Sequence, residues 1–388
     1  MNNSLGNLDV IVERNVEVPM RDGTLLRADI WRPDLAGQFP VLIERTPYDK
    51  TASSESSLGA GEYYASHGYV TVIQDVRGRF ASDGLFYPFR DDGDGENQDG
   101  YDTVEWAAAQ PWSNKKIGTI GGSYSGATQY RMLATQPPHL VAQFVRQSSS
   151  DYYIEWVYRS GVFEHGFNIS WTLKHASTNA VKLAPEGMED EVVTRLTKAS
   201  DDYQKWLEHV PISPLPPVAD LQDWFVDWMD HPNQGEYWNE FSIVRSHDRV
   251  DVPIHHFGSW YDCFLRGTLE NYVGMRSKAV NKQARSGQRL TIGPWVHNPS
   301  PADMRTSGEV DFGEQAKLGW FATRLRWFDH WLKGIDNGIE QEKPVKLFTM
   351  GVNKWREFSE WPPAEISYTP FYLSNGSSGS AQSLNDGV

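Results

Sequence analysis

This 388-residue sequence reads first as an α/β fold, a largely parallel sheet with a helical cap inserted into it and short strands after it. Three observations predict it. Strand-like and helix-like segments alternate over residues 39–147 and resume at Val252, the rhythm of strand–helix units on a parallel sheet. Between Ser149 and Arg245 that rhythm stops, and helical patterns rich in Trp, His and charge replace it. After Gly334 short apolar runs return, separated by turn residues.

Taken in order, residues 16–33 predict two strands about a turn at Arg21-Asp22-Gly23, from alternating apolar positions. A strand over 39–43, a helix over 57–67, a strand over 69–74 and a long Asp- and Gly-rich loop follow. A helix over 100–110 leads to a strand over 117–120, a helix over 127–134 and a strand over 141–147. The insertion holds a helical pattern over 192–209 and a proline cluster over 211–217. Strands over 252–257 and 289–292 resume the sheet, and a helix over 314–333 should turn Leu318, Phe321, Leu325, Phe328 and Leu332 to the core. Residues 345–351, 355–358 and 371–373 predict short strands.

The chemistry concentrates at Gly121-Gly122-Ser123-Tyr124-Ser125-Gly126. Strand, glycine turn and helix is the context of a nucleophile elbow, where a strained bend exposes a serine oxygen. Glycines suit it because side chains would collide with the tight backbone. Taken alone, the segment also fits a plain turn or a phosphate-cradling loop. A triad on an open α/β sheet runs serine, acid, histidine, with acid and base past later strand ends. Asp262, in Gly258-Ser259-Trp260-Tyr261-Asp262, and His297, in Gly293-Pro294-Trp295-Val296-His297, meet that order. Their separations of about 140 and about 35 residues leave room for an insertion before the acid. Asp262 could equally cap the helix starting near Phe264. His255 and His256 are adjacent in a strand and must point to opposite faces. No histidine or cysteine spacing suggests a metal.

A net charge of −15 disfavours nucleic acid and anionic membrane as partners. Cys263 is the only cysteine, so no intrachain disulfide forms, and a lone cysteine is most often a small packing residue. Residues 1–10 lack an export signal's pattern and no apolar run reaches membrane-span length, so a cytoplasmic protein is the expectation.

Arg45-Thr46-Pro47-Tyr48-Asp49-Lys50, the run from Asp75 to Gly84, the serine turn, Trp260-Tyr261-Asp262 and Gly293 to His297 occur in one order. Together they resemble the cocaine-esterase-like (CocE/NonD) hydrolases, whose catalytic domain is shared with X-prolyl dipeptidyl peptidases and α-amino-acid ester hydrolases. The resemblance implies an α/β-hydrolase sheet in two parts, residues 1–148 and 246–340, a helical cap over 149–245, and the start of a C-terminal β jelly-roll over 341–388. That start stops far short of a full jelly roll, leaving strands expected to lack partners. It further implies Ser123 as nucleophile, Asp262 as acid and His297 as base, with the Tyr124 N–H and the Tyr48 hydroxyl as oxyanion donors. Trp156, Phe163, Phe167 and Trp171 in the cap, with Trp260 and Phe264 beside the acid, are candidates for a substrate pocket.

The function expected is a serine hydrolase of carboxylic esters, with activated amides as further substrates, working through an acyl-enzyme without metal or organic cofactor. Its partner is a small ester or short peptide; a homo-oligomer is compatible. Two alternatives stand. One is a peptidase or amino-acid ester hydrolase binding a free α-amino group, for which Glu155 and Glu164 could supply charge, although Cys263-Phe264-Leu265-Arg266 follow the acid where acidic residues are expected. The other is an inactive hydrolase fold serving as a binding protein.

Overall fold

The computed structural model describes residues 8–370. Ten strands form its main sheet: β1 (Val10–Pro19), β2 (Leu25–Pro33), β3 (Phe39–Thr46), β4 (Val70–Asp75), β5 (Ser113–Thr119), β6 (Leu140–Arg146), β7 (Ile254–Tyr261), β8 (Arg289–Val296), β9 (Val345–Thr349) and β10 (Lys354–Phe358). They lie in the order β1-β2-β4-β3-β5-β6-β7-β8-β9-β10. From β4 through β9 every neighbouring pair is parallel, while β1, β2 and β10 join antiparallel. The predicted turn at Arg21-Asp22-Gly23 closes the β1–β2 hairpin, with Met20 N–H donating to Thr24 O at 2.9 Å.

Eight longer helices accompany the sheet: α1 (Ala60–Ser66), α2 (Asp99–Ala109), α3 (Tyr124–Met132), α4 (His165–Ser177), α5 (Glu189–Asp201), α6 (Asp223–Asp230), α7 (Leu265–Lys278) and α8 (Trp320–Lys333). Strand side chains alternate in facing, so each strand feeds two layers. Val41 and Ile43 of β3 join the core that holds α2, α3 and α7, whereas Leu42 joins the core of α1 and α8. The cap, with α4 to α6, rises between β6 and β7, and its Trp156, Leu173, Trp224 and Trp228 are continuous with the first of these cores. The helix expected over 192–209 breaks at Asp202 into α5 and a short turn of helix, Tyr203–Leu207.

Two expectations are corrected. Helix α8 begins at Trp320, not Glu314, and Leu318, Phe321 and Leu325 are only half-buried. The buried face is Trp320, Arg324, Trp327, Phe328 and Leu332. Apolar counting passes over this stripe because its centre is an arginine: Arg324 Nη1 lies 2.6 Å from Glu55 Oε2, with both side chains 0% exposed. The C-terminal strands are not left without partners either. Strand β9 pairs parallel with β8 and β10 returns against β9, so both extend the main sheet. The strand expected over 371–373 lies outside the described residues.

Beside the Glu55–Arg324 pair, Glu44 of β3 is fully buried and accepts hydrogen bonds from Ser53 Oγ (2.8 Å) and Ser125 Oγ (3.0 Å). Burial, and next the Glu55 carboxylate, push the Glu44 carboxyl up to about 8 from an ordinary 4.5. Arg324→Met strands a buried carboxylate and is expected to cost about 3–5 kcal/mol in urea unfolding, part of it recovered by adding Glu55→Gln. An unchanged midpoint would remove the pair from any structural role. Between pH 4.5 and about 8 the folded protein retains a Glu44 proton that the unfolded chain has released. The stabilisation from this group therefore falls as pH rises through that window. Glu44→Gln is expected to flatten the decline of Tm over the same range; an unaltered slope would contradict the protonated carboxyl.

Candidate active site

Ser123 stands between the end of β5 and the first residue of α3, with φ 58° and ψ −123°. This left-handed backbone is costly for a residue with a side chain and persists only where its surroundings over-determine it. Here its N–H donates to the carbonyls of Arg146 (3.0 Å) and Gln147 (3.2 Å), and its own carbonyl accepts from Ser148 Oγ at 2.9 Å. At Gly126 a Cβ would sit 2.7 Å from the Ser148 Cβ, so the first turn of α3 lies on β6 only with glycine there. As the first helical residue, Tyr124 has an N–H with no intrahelical acceptor. Its ring is buried, and its hydroxyl accepts the Phe89 N–H at 2.9 Å.

Asp262 follows β7 and His297 follows β8. His297 Nδ1 lies 3.0 Å from Asp262 Oδ2, whose side chain is 0% exposed. The other oxygen, Oδ1, accepts the Phe264 N–H at 2.6 Å. Of the two roles weighed for Asp262, pairing is filled by Oδ2, whereas Oδ1 bonds the residue that precedes α7 and does not cap that helix. Gln147 joins the supporting strand ends. Its Nε2 donates to Ser259 Oγ (2.7 Å) and Val296 O (2.8 Å), and its Oε1 accepts the Asn298 N–H (3.1 Å). His255 and His256 bond Thr291 and Gln288 within the sheet, away from this rim.

Tyr48 arrives on the loop after β3. Its phenol is in hydrogen-bonding reach of the Ser123 hydroxyl, and Trp171 Nε1 donates to it at 3.4 Å. Burial keeps the phenol protonated above its ordinary value, the Trp171 and Ser123 contacts only moderating this. The loop is pinned from two sides. Asp75 accepts the Lys50 N–H at 2.7 Å and its ammonium at 3.2 Å. Arg79, buried in the loop after β4, donates from Nε to Pro47 O (3.0 Å), from Nη1 to His175 O (2.9 Å) and from Nη2 to Thr178 Oγ1 (3.1 Å).

Ser123, His297, Tyr48 and Trp171 line one cavity of about 430 Å³. Trp171, Lys174 and His175 of α4, with Thr178 just past its end, form a stripe facing it, at the spacing of one helix face. The other pocket candidates lie outside its lining. Trp156 is fully buried and stacks on Phe264 at 4.9 Å, and Phe167 packs edge-on to Trp156. Phe264 also sets its ring edge-on against His297 at 5.6 Å, behind the imidazole. Phe163 packs on Tyr158 within the cap. Trp260 turns away, donating to Phe348 O at 2.7 Å. These rings are spent on holding the cap and the C-terminal strands. Asp262, exposed Cys263 and His297 bring ligand-type atoms within 4.8 Å of one another, the only such grouping among the described residues. Both Asp262 oxygens already have partners, Oδ2 in His297 and Oδ1 in the Phe264 N–H.

Residues 22–299 match the family model described as X-Pro dipeptidyl-peptidase (S15 family), and residues 337–387 match the X-Pro dipeptidyl-peptidase C-terminal non-catalytic domain. A cocaine esterase from Rhodococcus sp. (strain MB1 Bresler) is 32% identical over 97% of this chain and 64% of its own length. The chain thus spans less than two thirds of that relative. A CocE/NonD family hydrolase from Staphylococcus aureus has the same fold, at 23% identity and a TM-score of 0.68 over 94% of this chain and 59% of that one. An aminopeptidase from a marine sediment archaeon, Thaumarchaeota archaeon, shares it at 21% identity and a TM-score of 0.68, over 94% of this chain and 60% of that one. No helix among the described residues is long and apolar enough to cross a membrane. With the family match running from the β1–β2 turn to just past His297, the chain belongs to the X-Pro dipeptidyl-peptidase S15 family.

Proposed function

We propose that this protein is a serine hydrolase of carboxylic esters that acts through an acyl-enzyme on Ser123. The observation that carries the reading is the pairing of His297 Nδ1 with buried Asp262, on the cavity to which the strained Ser123 is exposed. That pairing leaves Nε2 as the nitrogen to take the Ser123 proton. The serine oxygen bonds to the ester carbonyl carbon, and the Tyr124 N–H and Tyr48 hydroxyl stabilise the oxyanion. As the carbon–oxygen bond to the alcohol breaks, His297 returns the proton to the leaving oxygen. Water, deprotonated by His297, then attacks the acyl carbon, releasing the acid and restoring the serine.

An ester without a free α-amino group suits the site better than a substrate that carries one. Holding an ammonium requires a carboxylate in the cavity, and none lines it among the described residues. Glu155 instead accepts the Ser150 N–H at 3.1 Å against Gly267, and Glu164 is ion-paired with Arg159. The His297–Asp262 pair, on the cavity that Ser123 also lines, favours an enzyme over an inactive binding protein.

A fluorophosphonate probe is expected to add one label, seen by intact mass, that is absent in Ser123→Ala; a folded protein that stays unlabelled would sink the hydrolase reading. His297→Ala should abolish turnover of 4-nitrophenyl acetate while Cys263→Ala keeps most of it, and the reverse pattern would overturn the role assignment. Tyr48→Phe is expected to lower kcat by about 10²–10³ with little change in KM, as for loss of one oxyanion donor. An unchanged kcat would exclude the phenol from that task.

A further inference from the structure

The cavity beside Ser123 is electrically one-sided. Its charged lining residues are Arg146 and Lys174, with no Asp or Glu among the described residues that border it, in a chain whose net charge is −15. Arg146, at the end of β6, is 3% exposed. Its Nη1 donates to Asn298 O at 2.6 Å and to Gln147 Oε1 at 3.3 Å, while Nε has no partner. Its guanidinium fills the space beside Gly122, where a Cβ would meet it at 2.4 Å, so this cation lies against the elbow itself. Burial pushes the guanidinium below its ordinary value, Glu55 and Asp262 oppose this from a distance, and among the described residues no carboxylate forms an ion pair with it.

Lys174 lies one turn along α4 from Trp171, exposed at the cavity, and is likewise without an ion pair among the described residues. Beside Lys174 on the same lining, His175 is buried with neither ring nitrogen hydrogen-bonded. A buried cation without a counter-charge is costly, and so is a buried polar atom without a partner. Arg146 and Lys174 border one cavity, and an anion entering it would supply the counter-charge they lack. We propose that the substrate is an ester carrying a carboxylate, held by Arg146 and Lys174 while its carbonyl reaches Ser123. The proposal rests on the ester-hydrolase reading above and names its substrate class.

Arg146 also holds Asn298 next to His297, so replacing it would disturb turnover of every ester; Lys174 is the informative position. The test compares kcat/KM for mono-4-nitrophenyl glutarate with its uncharged counterpart 4-nitrophenyl pentanoate. A second arm compares 3-acetoxybenzoate with its methyl ester, which moves the carboxylate from the acyl to the alcohol side. In one arm the anionic member is expected to be favoured about tenfold, the scale of one charged hydrogen bond. Lys174→Glu should reverse that ratio, and roughly 1 M sodium chloride, which cuts the screening length to about 3 Å, should shrink it. Turnover of the neutral esters with no anionic preference in either arm overturns the proposal and leaves the hydrolase standing. Were no ester cleaved by folded protein, the hydrolase reading would fall instead. Calorimetric titration of glutarate into Ser123→Ala protein then decides the anion site alone: binding weakened by Lys174→Glu supports it, and no binding refutes it.

Discussion

A single strained peptide turn organises this molecule. Ser123 occupies a left-handed conformation that its own chemistry disfavours. Two carbonyls of the β6 end, a hydroxyl from Ser148 and the Ser125–Glu44 hydrogen bond hold it there. The strand beneath must therefore stay in register with its neighbours, and the glycine of the first helical turn must remain bare. The buried ionic groups under α3 belong to the same construction. Glu44 holds the first turn of α3 through Ser125, and the Glu55–Arg324 pair ties the segment between β3 and α1 to α8.

The strand ends beyond the bend are set by one amide. Gln147 reaches the β7 end, the β8 end and the loop carrying His297. Position of the imidazole thus depends on the residue whose carbonyl also helps fix Ser123. Asp262 adds a second constraint, since one oxygen orients His297 and the other holds the turn that precedes α7. Ser123, His297 and Asp262 are separate in sequence but share a few rigid partners.

Much of this was legible in the chain. The parallel sheet could be read from strand–helix alternation, and Ser123, Asp262 and His297 were candidates because each lies at a strand end beside a glycine or proline break. Tyr48 was visible only through family resemblance, since an aromatic in a loop has no periodic signal. Gln147, Arg146 and Lys174 carried no signal at all: their parts depend on which strands and helices meet. The α8 face was misread because a buried arginine breaks the apolar period. Among the cap aromatics, sequence could not separate Trp171, which faces the cavity, from Trp156 and Phe167, which pack against one another. The final strands look isolated in sequence because their partner, β8, lies about 50 residues earlier.

The three bonds of Arg79 reach one level further. The same guanidinium grips the peptide ahead of Tyr48 and the last turn of the helix roofing the cavity. The Tyr48 loop and the end of the cap helix are thereby tied to one buried side chain, and neither can shift alone without breaking one of its bonds.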